Sequence, residues 1–526
     1  MAVTPKQIEK FRAAILSCDT QSCTSFLEQA ETFQFGNVKT LLAFRDALLL
    51  LEAYPSSVEL HDRANSLLRH YEVLTKRFLR RNKRAADKLV NSGLRGTEAH
   101  GSFTFPLLKA LCKHAPDSVF LHSFDAEGKP PGEVLRFFLP KSEMEALDAG
   151  YSGNELMNEL YGAQNHLAAL VNTMSKSPLP PAVRDSLFEE LKVYAGIKFD
   201  GNIPDRSVAR GVLTELFTHG QILKKAEPLE IVNSPLPAPL NLSLKQEDKL
   251  VLDCMCMLAS LNRETDPVSV CAERGVTFFQ LDRGVSVALF SMQPEYRLPL
   301  DSYIGYVLFK NGVPHAYGGS WLFGKRALFG INIFEPFRGG ESSLTILQLL
   351  RVYRQYYGIE AFSVEPYQFG KDNPEGIASG AYWFYYKMGF RSDDKRLAAL
   401  AEKEFAKMQK SKSYRSSATT LKKFTASNIT WKISSASLGP DAATVSRETT
   451  EFIREQYNGD REQCIAALLK AHSLQRGQIA DQYLTAFLRP GDPKERAEML
   501  RAMSEQKRTN ERSYNALLQS LLSVNQ

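Results

Sequence analysis

The residues best placed to do chemistry in this chain lie in one short turn, Glu335-Pro336-Phe337-Arg338-Gly339-Gly340-Glu341-Ser342-Ser343, between a β-rich run and an apolar helical run. A glycine-rich turn that opens a helix aims several free N–H groups at one spot, and the helix dipole adds positive potential there. Such a turn suits a pyrophosphate. Gly339, Gly340, Ser342 and Ser343 supply its small residues and backbone donors, and Arg338 can add a charge-assisted contact. Two carboxylates, Glu335 and Glu365, fall at the ends of neighbouring predicted strands. Either can serve as a base or stand as an ordinary solvated acid. The polar loop 367–376, with Lys371, Asp372 and Asn373, lines an acceptor site or is a plain turn. His315 lies in a nearby hairpin; its titration range suits a base, while a lone histidine is more often structural.

The elements that must hold these residues run from 276 to 391. Residues 276–281, 285–290 and 303–310 are β-rich. Asn311-Gly312 is a strong hairpin signal, because both turn positions need positive φ. Residues 316–323 form the returning strand, with Pro314 near its start where a missing N–H is tolerable. Residues 327–334 form the next strand. After the turn, Leu347, Leu350 and Arg351 or Tyr353 recur at helical spacing in 344–357, and Gly358 ends that helix as its C′ residue. A strand at 361–365, a helix at 379–387 and a last strand opening at Met388-Gly389-Phe390-Arg391 complete the order.

A hairpin, a strand, an Arg-Gly turn, a long helix, a strand, a short aromatic helix and a Gly-Phe step resemble the GNAT N-acyltransferase superfamily. The turn resembles that family's pyrophosphate-binding R/Q-x-x-G-x-G/A, and Phe384-Tyr385-Tyr386-Lys387-Met388-Gly389-Phe390 is similar to its late L-Y-x-K-L-G-F step. The resemblance covers 276–391 alone. It implies an acyl-CoA co-substrate held by Arg338, Gly339, Gly340, Ser342 and Ser343. It also implies that Tyr385 protonates the departing thiolate, as a phenol of ordinary pKa near ~10. Acyl transfer to an amine further needs a base, and Glu335 and Glu365 stand where the family opens its sheet. Tyr382, Trp383, Phe384, Tyr385 and Tyr386 are consecutive aromatics, so several of them must be core. One departure matters: counted from Arg338, the two family glycine positions hold Glu341 and Ser343. If the Glu341 carboxylate complements its own helix dipole and faces solvent, the anion site is kept; if it faces the turn, the site is altered or lost.

The rest of the chain sets the frame. Its 526 residues suggest about three or four domains. A hydrophobic share of 44% and a charged share of 24% are ordinary for globular proteins. The fold class expected is α+β and multidomain: a central GNAT-like mixed sheet with helices, flanked by mostly helical N- and C-terminal regions. Residues 1–225 read as mostly helical, with a long basic helix at 58–90, strands at 118–124 and 134–139 in a small mixed part near 101–140, and a helix at 154–174. Residues 226–242, with Pro228, Pro235, Pro237 and Pro239, read as an extended linker. Ser243 and Gln246 form a capping box that opens the 243–395 acyltransferase-like domain with a helix. Residues 396–526 read as helices, interrupted by a Ser/Thr/Lys-rich stretch at 411–430.

Net charge is +6, small for this length. There are two basic stretches, Lys76 to Arg84 and 403–423; the first is expected to be a solvated helix face, and nucleic acid is not an expected partner. The seven cysteines are odd in number and lack CxxC spacing, which fits a reducing compartment; Cys254 and Cys256 read as core. No zinc pattern appears among the nine histidines, so no metal is expected. The opening ten residues are polar and no apolar run spans a bilayer, so a cytoplasmic protein without membrane contact is expected. The sequence therefore points to an acyl-CoA-dependent N-acyltransferase of a small-molecule or protein amine. The alternatives are a GNAT-fold transferase with an aminoacyl or other non-CoA donor, and a non-catalytic GNAT-folded protein that binds protein partners through its helical regions.

Overall fold

The computed structural model describes residues 2–524 apart from Ala149 and Lys412. Met1 of the polar opening and Lys412 of the second basic stretch lie outside the described residues. The architecture is mixed α+β, with a large mixed sheet and flanking helices.

The N-terminal region begins with α1 (Pro5–Leu16), opened by a Thr4/Gln7 capping box and by proline in its first turn. Helix α2 (Val38–Ala53) buries Leu41, Phe44, Leu48 and Leu51, and Asn37 caps its start. The expected long helix at 58–90 is two helices, Val58–Arg69 and α3 (Tyr71–Arg81), followed by short 3-10 turns. The break falls at His70, whose ring nitrogen sits 2.9 Å from the Ser66 carbonyl oxygen and whose backbone leaves the helical region. A three-stranded antiparallel sheet follows, made of β1 (Glu98–Gly101), β2 (Val119–Phe124) and β3 (Val193–Lys198) in the order β1-β3-β2. Of these, β2 was expected. The strand expected at 134–139 does not form: a helix, Pro131–Leu135, takes its first residues and turns follow, because proline at a first helical position is preorganised for the helix. The helix expected at 154–174 is split into Gly153–Tyr161 and His166–Ser175, the second restarted by the Asn165 cap.

The proline-rich segment is not a free spacer. Pro228–Asn233 is a short helix whose Val232 is fully buried. Downstream, the Ser234 carbonyl accepts from Arg351 Nε at 3.0 Å, and the Leu236 amide donates to Gln355 Oε1 at 2.9 Å. Leu240 then bridges to Phe278. The segment is a strap laid along the central unit. Helix α4 (Leu244–Ala259) follows with the expected Ser243/Gln246 capping box, and it buries Cys254 and Cys256.

The central sheet has eight strands: β4 (Cys271–Gln280), β5 (Val285–Met292), β6 (Ser302–Lys310), β7 (Val313–Phe323), β8 (Arg326–Ile333), β9 (Ala361–Val364), β10 (Arg391–Ser392) and β11 (Ile429–Lys432). Their order is β10-β11-β9-β8-β7-β6-β5-β4, and only β8 and β9 pair in parallel. Asn311 and Gly312 both take positive φ in the β6–β7 hairpin. Helix α5 (Ser342–Tyr357) joins β8 to β9 and ends on Gly358 in the left-handed region. Helix α6 (Ala381–Lys387) lies between β9 and β10. The last strand, β11, comes from the polar stretch read as a break between helices; it inserts antiparallel between β9 and β10.

The two faces of the sheet serve different cores. Ala327, Phe329 and Ile331 of β8 share one core with Ile346 and Leu350 of α5 and with the aromatics of α6. On the other face, Phe278, Phe290, Val307 and Phe309 join a core continuous with Phe44 of α2 and Leu258 of α4. The N-terminal helices and the sheet are therefore packed as one body on that side. C-terminal helices α7 (Lys494–Thr509) and α8 (Glu511–Val524) dock by polar anchors: Lys507 Nζ donates to the Asp301 carbonyl and Tyr514 Oη to the Leu300 carbonyl, both at 2.6 Å.

Candidate functional site

The parallel pair β8–β9 matches register only at Arg326↔Ala361, Ala327↔Phe362 and Leu328↔Ser363. Beyond that point β8 continues to Ile333 while β9 stops at Val364, and the sheet parts. The open backbone edge is partly closed by Gln368, whose Oε1 accepts from the Ile331 amide at 3.2 Å. A glycine cluster makes the parting tight: a Cβ on Gly318 would lie 2.0 Å from the Gly330 carbonyl oxygen and 2.5 Å from Tyr306 Oη. That close approach lets the Tyr306 phenol donate to the Gly330 oxygen at 2.6 Å.

A cleft of about 320 Å³ opens at the parting, on the side where Leu328, Gly330 and Asn332 emerge. Three carboxylates line it, Glu264, Asp266 and Glu365; among the described residues no lysine, arginine or histidine lines it, and Arg263 lies beside the lining Tyr317. Tyr303 and Trp321 form a stacked pair in its wall, with ring centroids 4.4 Å apart and planes 9° apart. Glu264 is held from two sides: it accepts from the Thr104 amide at 3.1 Å and hydroxyl, and from the Ser269 hydroxyl at 2.6 Å. Burial raises the Glu264 pKa, against the pull of those hydrogen bonds. Acids facing stacked aromatics make a pocket for a cationic amine, because carboxylates pair with the charge and a ring face attracts it.

The turn after β8 is built differently from the solvent-facing arrangement considered for Glu341. That side chain is buried, with 1% of the residue exposed. Its carboxylate accepts from Lys310 Nζ at 2.6 Å, from Arg283 at 2.5 Å and from the Leu223 amide at 2.8 Å, with His219 at 3.8 Å. Burial alone would raise its pKa, but the nearby His219 and the bonds from Arg283 and Lys310 hold the carboxyl well below its ordinary range. Burial pulls the pKa of Lys310 down, against the opposing effect of Glu341. The physical reason is local: Lys310 is buried at the end of β6, and an unpaired buried ammonium is costly.

Tyr54, the residue that ends α2, covers the turn. Its phenol accepts from the Glu341 amide at 3.2 Å and lies 3.1 Å from His315 Nε2. His315 is fully buried, and burial drops its pKa to about 3, so it is a neutral structural histidine. Arg12 of α1 donates to the Pro336 carbonyl at 3.0 Å. The outer side stays open: a Cβ on Gly339 would meet nothing within 4 Å. Arg338 is exposed there and pairs with Glu375. Among the described residues the first-turn amides of Ser342 and Ser343 have no hydrogen-bond partner.

The residues singled out from sequence therefore separate. Glu365 lines the cleft. Glu335 lies instead on a groove walled by α2 and the end of α3. Tyr385 is buried in the aromatic core with α5, 5.6 Å from the Phe390 ring and 6.5 Å from that of Phe329, and burial pushes its phenol up. The loop 367–376 reaches the cleft through Gln368, while Lys371, Asp372 and Asn373 do not line it; Glu264, Asp266, Tyr303 and Trp321 were not anticipated. Tyr303 and Trp321 sit opposite each other in the β6–β7 register, a relationship visible once the Asn311-Gly312 turn fixes the hairpin. Glu264 and Asp266 follow α4 in a stretch with no motif spacing.

Among the described residues, no group of histidines, cysteines and acids could hold a metal ion, and no helix is long and apolar enough to cross a membrane. Comparison with protein-family models, with curated proteins and with solved structures finds no match to this chain.

Proposed function

We propose that this chain is a GNAT-type N-acyltransferase that moves an acyl group from acyl-CoA to an amine bound where β8 and β9 part. The observation that carries the reading is the divergence of that single parallel pair over a cleft whose charged lining residues are all carboxylates. The strand order supports it, with a long helix between the parallel strands, an aromatic helix after them and a return strand inserted between β9 and β10. Acyl-CoA, when bound, supplies an activated thioester carbonyl. Glu365 and Asp266 hold the amine as a cation against the Tyr303–Trp321 face. Glu264, the carboxylate buried deepest of the three, takes the proton that frees the amine lone pair for attack on the thioester carbonyl, consistent with a base whose affinity for protons is raised by burial. A C–N bond forms, the C–S bond breaks, and the thiolate leaves and takes a proton from Glu264 or water. The seven free cysteines accord with a cytoplasmic setting.

A second reading, a donor other than CoA, is favoured by the turn. Tyr54 occupies the Glu341 amide, and the Glu341 carboxylate fills the space beneath, so fewer donors face an incoming pyrophosphate than in a glycine-only turn. The test is thiol release and product mass with acetyl-CoA and longer acyl-CoAs against a panel of diamines, lysine peptides and amino sugars, alongside calorimetry of acyl-CoA binding. Thiol release that depends on an amine supports the first reading. No acyl-CoA binding removes CoA as donor and moves weight to the second reading or to a non-catalytic binding protein.

A further inference from the structure

A groove of about 1220 Å³ runs between the start of α2 and the end of α3 with the turns that follow it. Lys39, Arg80, Arg81, Lys83, Arg84 and Lys88 line it, and all six are exposed. Among the described residues none of the six is paired with a carboxylate, whereas their neighbours Lys76 and Arg77 are engaged by Glu72 and by the Glu31 carbonyl. The six cations outnumber the groove's two acids, of which Glu335 is exposed. Asp46 is already held by Arg45 at 2.6 Å and lies 3.9 Å from Arg206. Arg206 is 8% exposed, stacks over Phe334 at 5.0 Å and has an Nη2 without a hydrogen-bond partner, so a further buried cation backs the groove.

The floor is apolar, made by the half-buried Val38, Leu42, Ala43 and Ala85, with Phe78 buried beneath them. A cationic rim over an apolar floor matches a ligand with a flat, weakly polar body and several phosphates. A bare inorganic anion would leave the floor uncovered, and a nucleic-acid strand read by stacking would need exposed aromatics, while Phe78 is buried.

We infer that this groove binds a phosphorylated nucleoside, and that it holds the nucleotide end of the acyl donor. The second clause rests on the acyltransferase reading. The geometry links the two sites: Asn332 lines the acidic cleft and Glu335, three residues further along the chain, lines the basic groove. The chain leaves the strand after Ile333, so the two are at most about 10 Å apart along the backbone, within reach of a donor with a flexible arm. The basic stretch, read from sequence as a solvated face, thus supplies the phosphate contacts that the altered turn supplies less well.

The test uses the full chain and 3′-phosphoadenosine 5′-diphosphate as probe, followed by calorimetry, with inorganic pyrophosphate and a duplex RNA as competitors. The double variant Arg80→Glu/Arg84→Glu should weaken nucleotide binding by about tenfold or more, since each charge-assisted contact carries roughly that factor. Lys39→Glu, on a different helix, should weaken it too, and raising salt from about 50 to 500 mM should do the same. Equal affinity for nucleotide in all variants overturns the site. Competition by pyrophosphate as strong as by the nucleotide overturns its nucleoside half, and binding of RNA without binding of the nucleotide overturns the ligand class. Nucleotide binding lost in the groove variants, with no thiol release in any protein, keeps the groove and discards the transferase. Thiol release with acyl-CoA affinity unchanged in the groove variants does the reverse.

Discussion

The Lys310 ammonium donates to the Glu341 carboxylate at 2.6 Å, and both side chains are wholly shielded from solvent. One partner ends a strand and the other precedes α5, so the pair joins the β6–β7 hairpin to the turn after β8. Glu341 stands where the GNAT pattern has glycine. Its charge is met by Lys310 and Arg283 together, so it does not present a net negative charge to the open side of the turn. The departure from the pattern is a structural joint rather than a surface acid.

Glu341→Gly, which places the glycine of the GNAT pattern there, should therefore harm the protein. It leaves Lys310 buried without its partner, and breaking a buried pair in that way costs about 3–5 kcal/mol. Glu341→Gln should lose a similar amount. Urea unfolding measures both. A wild-type midpoint in either variant, or tighter acyl-CoA binding by Glu341→Gly, would refute the joint.

The same pair sets an acid limit on stability. The folded carboxyl of Glu341 sits well below its ordinary value of 4.5. Its contribution is fully present above that value and is lost as pH falls through the lower folded value, because the unfolded chain then binds the proton that the native state refuses. The melting temperature of wild type should fall between pH about 4.5 and about 2 more steeply than that of Glu341→Gln. Parallel curves for the two proteins would separate the acid transition from this residue.

Tyr385→Phe should leave acyl transfer within about threefold of wild type, because the phenol lies in the α5-side core and the carboxylates line the opposite side. Glu264→Gln should lower turnover by about 10²–10⁴-fold if its carboxylate takes the amine proton. Glu365→Gln should raise KM more than it lowers kcat, by weakening one ionic contact to a bound amine. A large rate loss in Tyr385→Phe, with a melting temperature like wild type, would return the phenol to the role of proton donor.

Residues 228–240 should resist limited proteolysis, although their composition is that of a linker. Arg351 reaches the Ser234 carbonyl and also pairs with Asp282, while Gln355 engages Leu236. Arg351→Ala should release the strap and create a cut there before any cut within the central strands. Early cleavage of the wild-type chain in this segment would show that these bonds do not hold it.

Much of the central unit was legible because its signals are local. Asn311-Gly312 dictates a hairpin, Gly358 a helix end and Ser243/Gln246 a helix start, and each stands in the structure. The elements that were misread depend on distant partners. Strand β11 is Ile-Thr-Trp-Lys in polar surroundings, and only its place between β9 and β10 makes it a strand. The proline-rich strap looks like a spacer until Arg351, over a hundred residues later, is laid against it. The cleft shows the same division. Glu365 could be guessed from a strand end, whereas Glu264 becomes a cleft residue through Thr104, which belongs to a different part of the chain. The burial of Glu341 depends on Lys310 and Arg283, and no spacing within the turn records either.

The placement of β11 also fixes when this protein can first be native. The strand that fills the slot between β9 and β10 is encoded last of the eight, after the excursion through 393–428. Until residue 432 has left the ribosome, β9 has an unpaired edge and β10 has no neighbour at all. At roughly 5–20 residues per second, β9 waits several seconds for its partner after its own synthesis. An exposed edge of that kind is a template for pairing with another chain. The helices of the N-terminal region, which share a core with the opposite face, are by then complete and able to shelter the nascent sheet. A chain truncated before Ile429 should therefore aggregate during synthesis, while one ending shortly after Lys432 should retain the completed sheet, a difference read directly from the soluble fraction of nascent-length fragments.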